Sequence, residues 1–135
     1  MKKNVIRLCS ALLLAALCLA LCTGCTNNTR KLLDGRWQLD STGNSKQENM
    51  VEPHINMYVD IFANGHVTMY GSDLGEYTID RNRFEFNSYD GKYHYSGSFS
   101  LQYPNLYIYL DDADVCAFFY KTAEHNADGT LKEEN

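Results

Sequence analysis

Beyond residue 25 the sequence holds a single cysteine, Cys116; the other four, Cys9, Cys18, Cys22 and Cys25, crowd into the N-terminal stretch. No disulfide framework can staple the remainder, so its stability must come from a packed core. Only two prolines occur in 135 residues, which excludes a disordered Pro-rich chain. No long helical period appears after residue 25, which argues against an all-helical domain. Catalytic patterns are missing too: neither a Gly-x-Ser-x-Gly nor a Walker motif is present. The four histidines, His54, His66, His94 and His125, lack the close spacing of metal-ligand sets. His66 and His94 alternate with apolar residues, which turns them toward solvent. Asp111, Asp112 and Asp114 share one turn, but without the Gly and distal Glu of an EF-hand loop they read as a solvated turn. The expectation is a protein that is not an enzyme and holds no metal or cofactor.

The N-terminal stretch has three zones. Lys2, Lys3 and Arg7 carry positive charge, and no acid precedes residue 25. Leu8 to Leu21 is a 14-residue apolar run broken only by Ser10. A spanning helix needs roughly 20 apolar residues, while an export-signal core needs about 7–15. The run fits a signal, and small residues precede Cys25 as at a cleavage site. The expected division is a signal peptide over 1–24, a tether over 25–31, a β-domain over 32–122 and a flexible polar tail over 123–135. Removal of the signal leaves nine basic against 17 acidic residues, a net of −8. An acidic domain is repelled by nucleic acid, so none is expected as a partner.

From Arg36 to Thr122 the pattern has period two, with turn residues between the runs. His54 to Phe62 alternates strictly, with Ile55, Met57, Val59 and Ile61 on one face. At Ala63-Asn64-Gly65 the register can be tested. A two-residue Asn-Gly loop sets Asp60 opposite Met69, whereas a three-residue loop pairs Ile61 with Val67 and Val59 with Met69. The second keeps apolar with apolar, which predicts a bulge at Gly65. Turns at Asp80–Arg83, Ser88–Gly91, Gln102–Asn105 and Asp111–Asp114 join the later runs. With a strand at Trp37, the sum is an all-β antiparallel up-and-down meander of about eight strands. Such a meander tends to close into a small barrel, because closure removes both edges. Asp40 to Pro53 reads as a polar loop.

Alternation also sorts the aromatic residues. Tyr77, Phe84, Phe86, Tyr93, Tyr95 and Phe99 share the apolar face and are the candidate lumen of a barrel, either a pocket or a filled core. Tyr58, Tyr70, Tyr107, Tyr109, Phe118 and Tyr120 share the other face, as does Phe62. They form a candidate partner surface, unless the Asp40–Pro53 loop or the termini cover them. Cys116 lies on the same side and reads as an inert, partly buried thiol.

Two resemblances add to this reading. Thr23-Gly24-Cys25 resembles the end of a bacterial lipobox, which implies a thioether-linked diacylglyceryl group on Cys25, with chains of the palmitate type. Two such chains anchor stably where one would not. The implied location is the extracytoplasmic side of the cell membrane, with the membrane itself a partner. Leu33-Asp34-Gly35-Arg36-Trp37-Gln38-Leu39 is similar to the Gly-x-Trp opening of lipocalin-like (calycin-type) domains. Phe62-Ala63-Asn64-Gly65-His66-Val67 is similar to a hairpin of short bacterial lipocalin-like lipoproteins. The likeness spans about residues 32–122. It implies a barrel with Trp37 at its base beneath a basic residue of the last strand, for which Lys121 is the candidate. It also implies a binding domain for a small apolar ligand. A protein-interaction module, such as an inhibitor or assembly factor, is the alternative.

Overall fold

The computed structural model describes residue 10 and residues 28–133; the apolar run, the cleavage site and Cys25 lie outside them. Residues 28–33 are helical. Eight strands follow: β1 Gly35–Gly43, β2 Tyr58–Ile61, β3 His66–Met69, β4 Ser72–Asp80, β5 Arg83–Ser88, β6 His94–Gln102, β7 Asn105–Leu110 and β8 Cys116–Ala123. Each pairs antiparallel with its sequence neighbour, and β8 returns to β1, closing a barrel. The meander and its closure are as the alternation predicts.

The turns carry the register. Ile61 faces Val67 and Val59 faces Met69, so the three-residue loop wins over the Asn-Gly turn. Gly65 has φ +96°, a region that costs a side chain strain but glycine none. Between β4 and β5 the register is Tyr77 with Phe86 and Ile79 with Phe84. Between β6 and β7 it is Phe99 with Ile108 and Leu101 with Leu106. Each two-residue turn therefore keeps apolar rows in phase, and the rows meet inside the barrel.

Three expectations need correction. The His54–Phe62 strand is only Tyr58–Ile61, and Ile55 is 64% exposed. The reason lies in β1, whose pairing with β8 shifts between Leu39 and Ser41. Past Leu39, whose amide bonds to the Met57 carbonyl (2.8 Å), the bulge carries β1 away and leaves 54–56 no ladder to join. The same pairing extends β1 to Gly43, so the loop expected at Asp40–Pro53 begins four residues later. It is then pinched by a Thr42–Val51 bridge. Third, the polar tail is not frayed: a His125–Leu131 bridge folds it back, and the His125 side chain is 2% exposed.

The core gathers at one end. Leu33, Trp37, Val67, Tyr77, Leu106 and Phe119 are all buried and in contact. Trp37 is wholly enclosed, and loss of such an aromatic costs about 3–5 kcal/mol.

Candidate functional site

The base of the barrel is built around Trp37. Its indole Nε1 donates to the Leu33 carbonyl (2.7 Å), tying the helical segment across the barrel end. Lys121, opposite Trp37 on β8, places its ammonium 5.5 Å from the indole ring and 5.0 Å from the Tyr103 ring. It also donates to the Leu32 carbonyl (3.0 Å). This is the cation–π contact that the resemblance implies for Lys121. Gly35 belongs to the same device: a Cβ there would strike the Lys121 Cε and come within 2.6 Å of the Ala123 carbonyl. Only a residue without a side chain lets the lysine stem lie over the indole. Burial lowers the Lys121 ammonium from its ordinary value, although Glu124 and Asp34 oppose the shift.

Above this base lies a cavity of about 270 Å³. Its floor is Leu33, Val67, Leu106 and Phe119, all buried. Its wall includes Val59, Ile61, Ile79 and Ile108, with Tyr77, Phe84, Phe86, Tyr95 and Phe99 from the sequence-derived lumen set. No polar atom contributes to the wall. The buried donors nearby are spent: the Tyr77 hydroxyl donates to the Phe62 carbonyl (2.7 Å), as the indole does to Leu33. Burial pushes the Tyr77 phenol up to about 12; Arg30 pulls it down and Asp34 adds to the rise.

Tyr95 marks the mouth, since it stands in the wall and is 43% exposed. Tyr93, taken as lumen from its parity, stands beyond the wall and is 51% exposed. The strand starts only at His94, so Tyr93 belongs to the turn, where alternation no longer dictates direction. Its ring stacks on Tyr95 (6.2 Å), which in turn stacks on Phe86 (6.3 Å). An aromatic ladder thus runs from the cavity wall into solvent.

The outer face is partly covered. Gln47, in the loop after β1, donates to the Tyr109 hydroxyl (2.6 Å). Asp114 accepts from the Ser45 amide (2.9 Å) and from its hydroxyl. Cys116 beneath is fully enclosed rather than partly buried, and burial raises its thiol above the ordinary value. Tyr107 and Phe118 stack at 4.7 Å, and Tyr120 remains exposed. Further round the barrel, Tyr70 packs edge-on against Tyr58 (5.0 Å), whose ring lies 4.2 Å from the Arg36 guanidinium.

Sequence reasoning missed one polar cluster. His125 Nδ1 lies 2.7 Å from Asp34 Oδ1, and Nε2 lies 3.2 Å from Asp60 Oδ1. Arg36 donates twice to Asp60 (3.1 and 2.9 Å), and Asp34 accepts from the Ala63 amide (2.9 Å). Phe62 stacks flat on the imidazole at 4.3 Å. Partners 65 and 91 residues away leave no spacing signal, so the cluster could not be read from the chain. His66 also has company, lying 2.6 Å from the Tyr89 hydroxyl and 2.8 Å from Asp73.

Asp111 is engaged by Arg83, whose Nη1 donates at 2.7 Å, while Asp114 is taken by Ser45. Among the described residues no three His, Cys, Asp or Glu side chains are arranged to hold a metal ion. Comparison of the chain with protein-family models, curated proteins and solved structures finds no match in any of the three.

Proposed function

We propose that the chain is a membrane-anchored, non-enzymatic envelope lipoprotein whose lipocalin-like barrel binds a small apolar ligand. The observation that carries this reading is the wholly apolar cavity of about 270 Å³ above the Trp37 base. Ligand pockets usually measure about 300–1,000 Å³, so this one suits a ligand at the small end of the range. A wall whose buried donors are already bonded selects against polar groups deep in the cavity, because burying an unpaired one costs several kcal/mol, and only the Tyr95 hydroxyl at the mouth is left to meet one. The His–carboxylate contacts at His125 brace Phe62, and none of their residues lines the cavity, which supports a structural role over a catalytic one.

The anchor and the mouth stand at opposite ends in this reading. Two residues separate Cys25 from the helical segment 28–33, and that segment closes the base through Leu33. The mouth at Tyr95 then faces away from the membrane and takes its ligand from the aqueous side. The test is titration of the full chain in detergent with N-phenyl-1-naphthylamine, a neutral apolar fluorophore. Saturable emission enhancement is expected, abolished in Ile108→Phe, which fills the cavity, altered in Tyr95→Phe and unchanged in Tyr109→Ala. No saturable signal, or an equal signal in a folded Ile108→Phe variant, would overturn the reading.

A further inference from the structure

We infer that the ligand of the barrel is a flat, uncharged aromatic molecule of one or two fused rings, with a single hydrogen-bonding substituent at its outer end. The inference rests on the reading of the cavity as a ligand site and names the chemistry that its wall selects. It starts from where the rings stand. Phe86 pairs with Tyr77 on one side and with Tyr95 on the other, so β4, β5 and β6 lay one row of rings across the wall. The Phe86 and Tyr95 rings lie within 17° of parallel, and those of Tyr95 and Tyr93 within 14°. In a closed barrel of eight strands β2 stands across from β6, and the side chains it contributes to the wall, Val59 and Ile61, are aliphatic. The cavity is therefore a slot with an aromatic side and a β-branched side.

The second observation is what keeps the slot open. Gly75 on β4 shares the inward parity of Tyr77, and Gly97 on β6 shares that of Tyr95. A Cβ at Gly75 would strike the Asn87 carbonyl and come within 2.8 Å of Phe86 Cζ. One at Gly97 would strike the Tyr109 carbonyl and come within 3.0 Å of Phe84 Cε1. The two phenyl rings thus lean along the wall into places where any other residue would set a side chain. They cover the sheet instead of crossing the lumen, and they leave aromatic surface beside an open centre.

Such a slot rewards a flat ring twice. Aromatic groups that meet in offset or edge-on geometry gain more than the area they bury. A rigid ring also has no internal rotation to lose, whereas an acyl chain must give up several on entering. Size sets the number of rings: a dry apolar cavity of roughly 150 Å³ holds benzene, so about 270 Å³ has room for a second fused ring. Among the described residues, none that lines the cavity is charged, so an ionised group would be buried unpaired. Tyr95, 43% exposed at the mouth, offers its hydroxyl there, which sets the ligand's polar substituent outermost.

The test is displacement of N-phenyl-1-naphthylamine from the full chain in detergent by three ten-carbon alcohols: 2-naphthol, decahydro-2-naphthol and 1-decanol. Detergent alone, run in parallel, corrects for what the micelles hold. The first is flat and aromatic, the second rigid but saturated, and the third a flexible chain. 2-Naphthol should displace the fluorophore at a free concentration on the order of tenfold below the other two. By apolar area alone the order would be the reverse, with 1-decanol first. Phe86→Leu removes a ring but keeps the wall apolar, and it should erase the preference. Phe84→Leu gives the same readout if circular dichroism melts show that Phe86→Leu does not fold. Tyr95→Phe should narrow the gap between 2-naphthol and naphthalene. Displacement at equal free concentrations, or by 1-decanol first, overturns the inference and leaves the ligand site standing. So does a preference that survives in folded Phe86→Leu. Absence of saturable fluorophore binding overturns both.

Discussion

Replacing Tyr77 by Phe removes one hydroxyl bonded behind the cavity wall, and its effect on stability should change sign with pH. At neutral pH the hydroxyl donates to the Phe62 carbonyl at 2.7 Å. Such a bond contributes about 1 kcal/mol net, so Tyr77→Phe should be less stable than the natural chain by that amount. Burial raises the Tyr77 phenol from 10.0 to about 12 in the folded state. The group is an acid with a raised folded value, so its stabilising effect is complete below 10 and is lost as pH rises through that value toward 12. In that window the unfolded chain ionises at Tyr77 while the folded chain does not. Near pH 11 the unfolded state gains about 1.4 kcal/mol by this route, and near pH 12 roughly 2.3 kcal/mol. Phenylalanine carries no such liability. The two stabilities should therefore cross near pH 11, with the variant the more stable above it. Urea melts followed by far-ultraviolet circular dichroism, run in parallel at steps from pH 8 upward, measure the difference directly. Titration of every other group cancels in that difference. A gap between the two chains that stays constant from neutral pH to beyond pH 11 would show that Tyr77 is not held in an apolar wall, and the closed floor of the cavity would fall with it.

Other perturbations reach the remaining parts of the barrel. Gly35→Ala should destabilise by about 2 kcal/mol or more in thermal or urea melts, since its Cβ meets the Lys121 stem and the Ala123 carbonyl. Lys121→Met keeps most of the apolar stem and should cost only about 1 kcal/mol, from the lost cation–π contact and the hydrogen bond to Leu32. His125→Ala should cost on the order of 2–3 kcal/mol, because Asp34 and Asp60 each lose a partner and Phe62 loses its stacking surface. An unchanged melting curve for that variant would restore the frayed tail. Cys116 is fully enclosed with a raised thiol, so it should stay inert to a thiol reagent in the folded domain. It should react only under denaturant, at a rate that follows unfolding.

Alternation and turn chemistry, both local properties, carried most of the architecture. A strand with one buried face must alternate, and a turn of given length sets which residues meet. The pairing of Ile61 with Val67 could be assigned from the chain, and so could the turns that join the Tyr77 run to the Phe86 run and the Phe99 run to the Ile108 run. The lumen residues followed from the same parity, and Tyr93 departed from it because it lies in a turn. What parity cannot supply is the state of the space enclosed. Whether inward side chains fill a barrel or leave a cavity depends on strand tilt and stagger, which emerge only when β8 closes on β1. Burial of the outer face was equally undecidable from the chain, since it depends on a loop whose polar residues find Tyr109 and Asp114 across the surface. The His125 cluster is the clearest case. Asp34, Asp60 and His125 come from three distant segments and meet only because the barrel brings the start of β1, the middle of the β2 ladder and the residues after β8 to one end. A period of two can be read along a chain, but contact among three such segments is made only by the closed sheet.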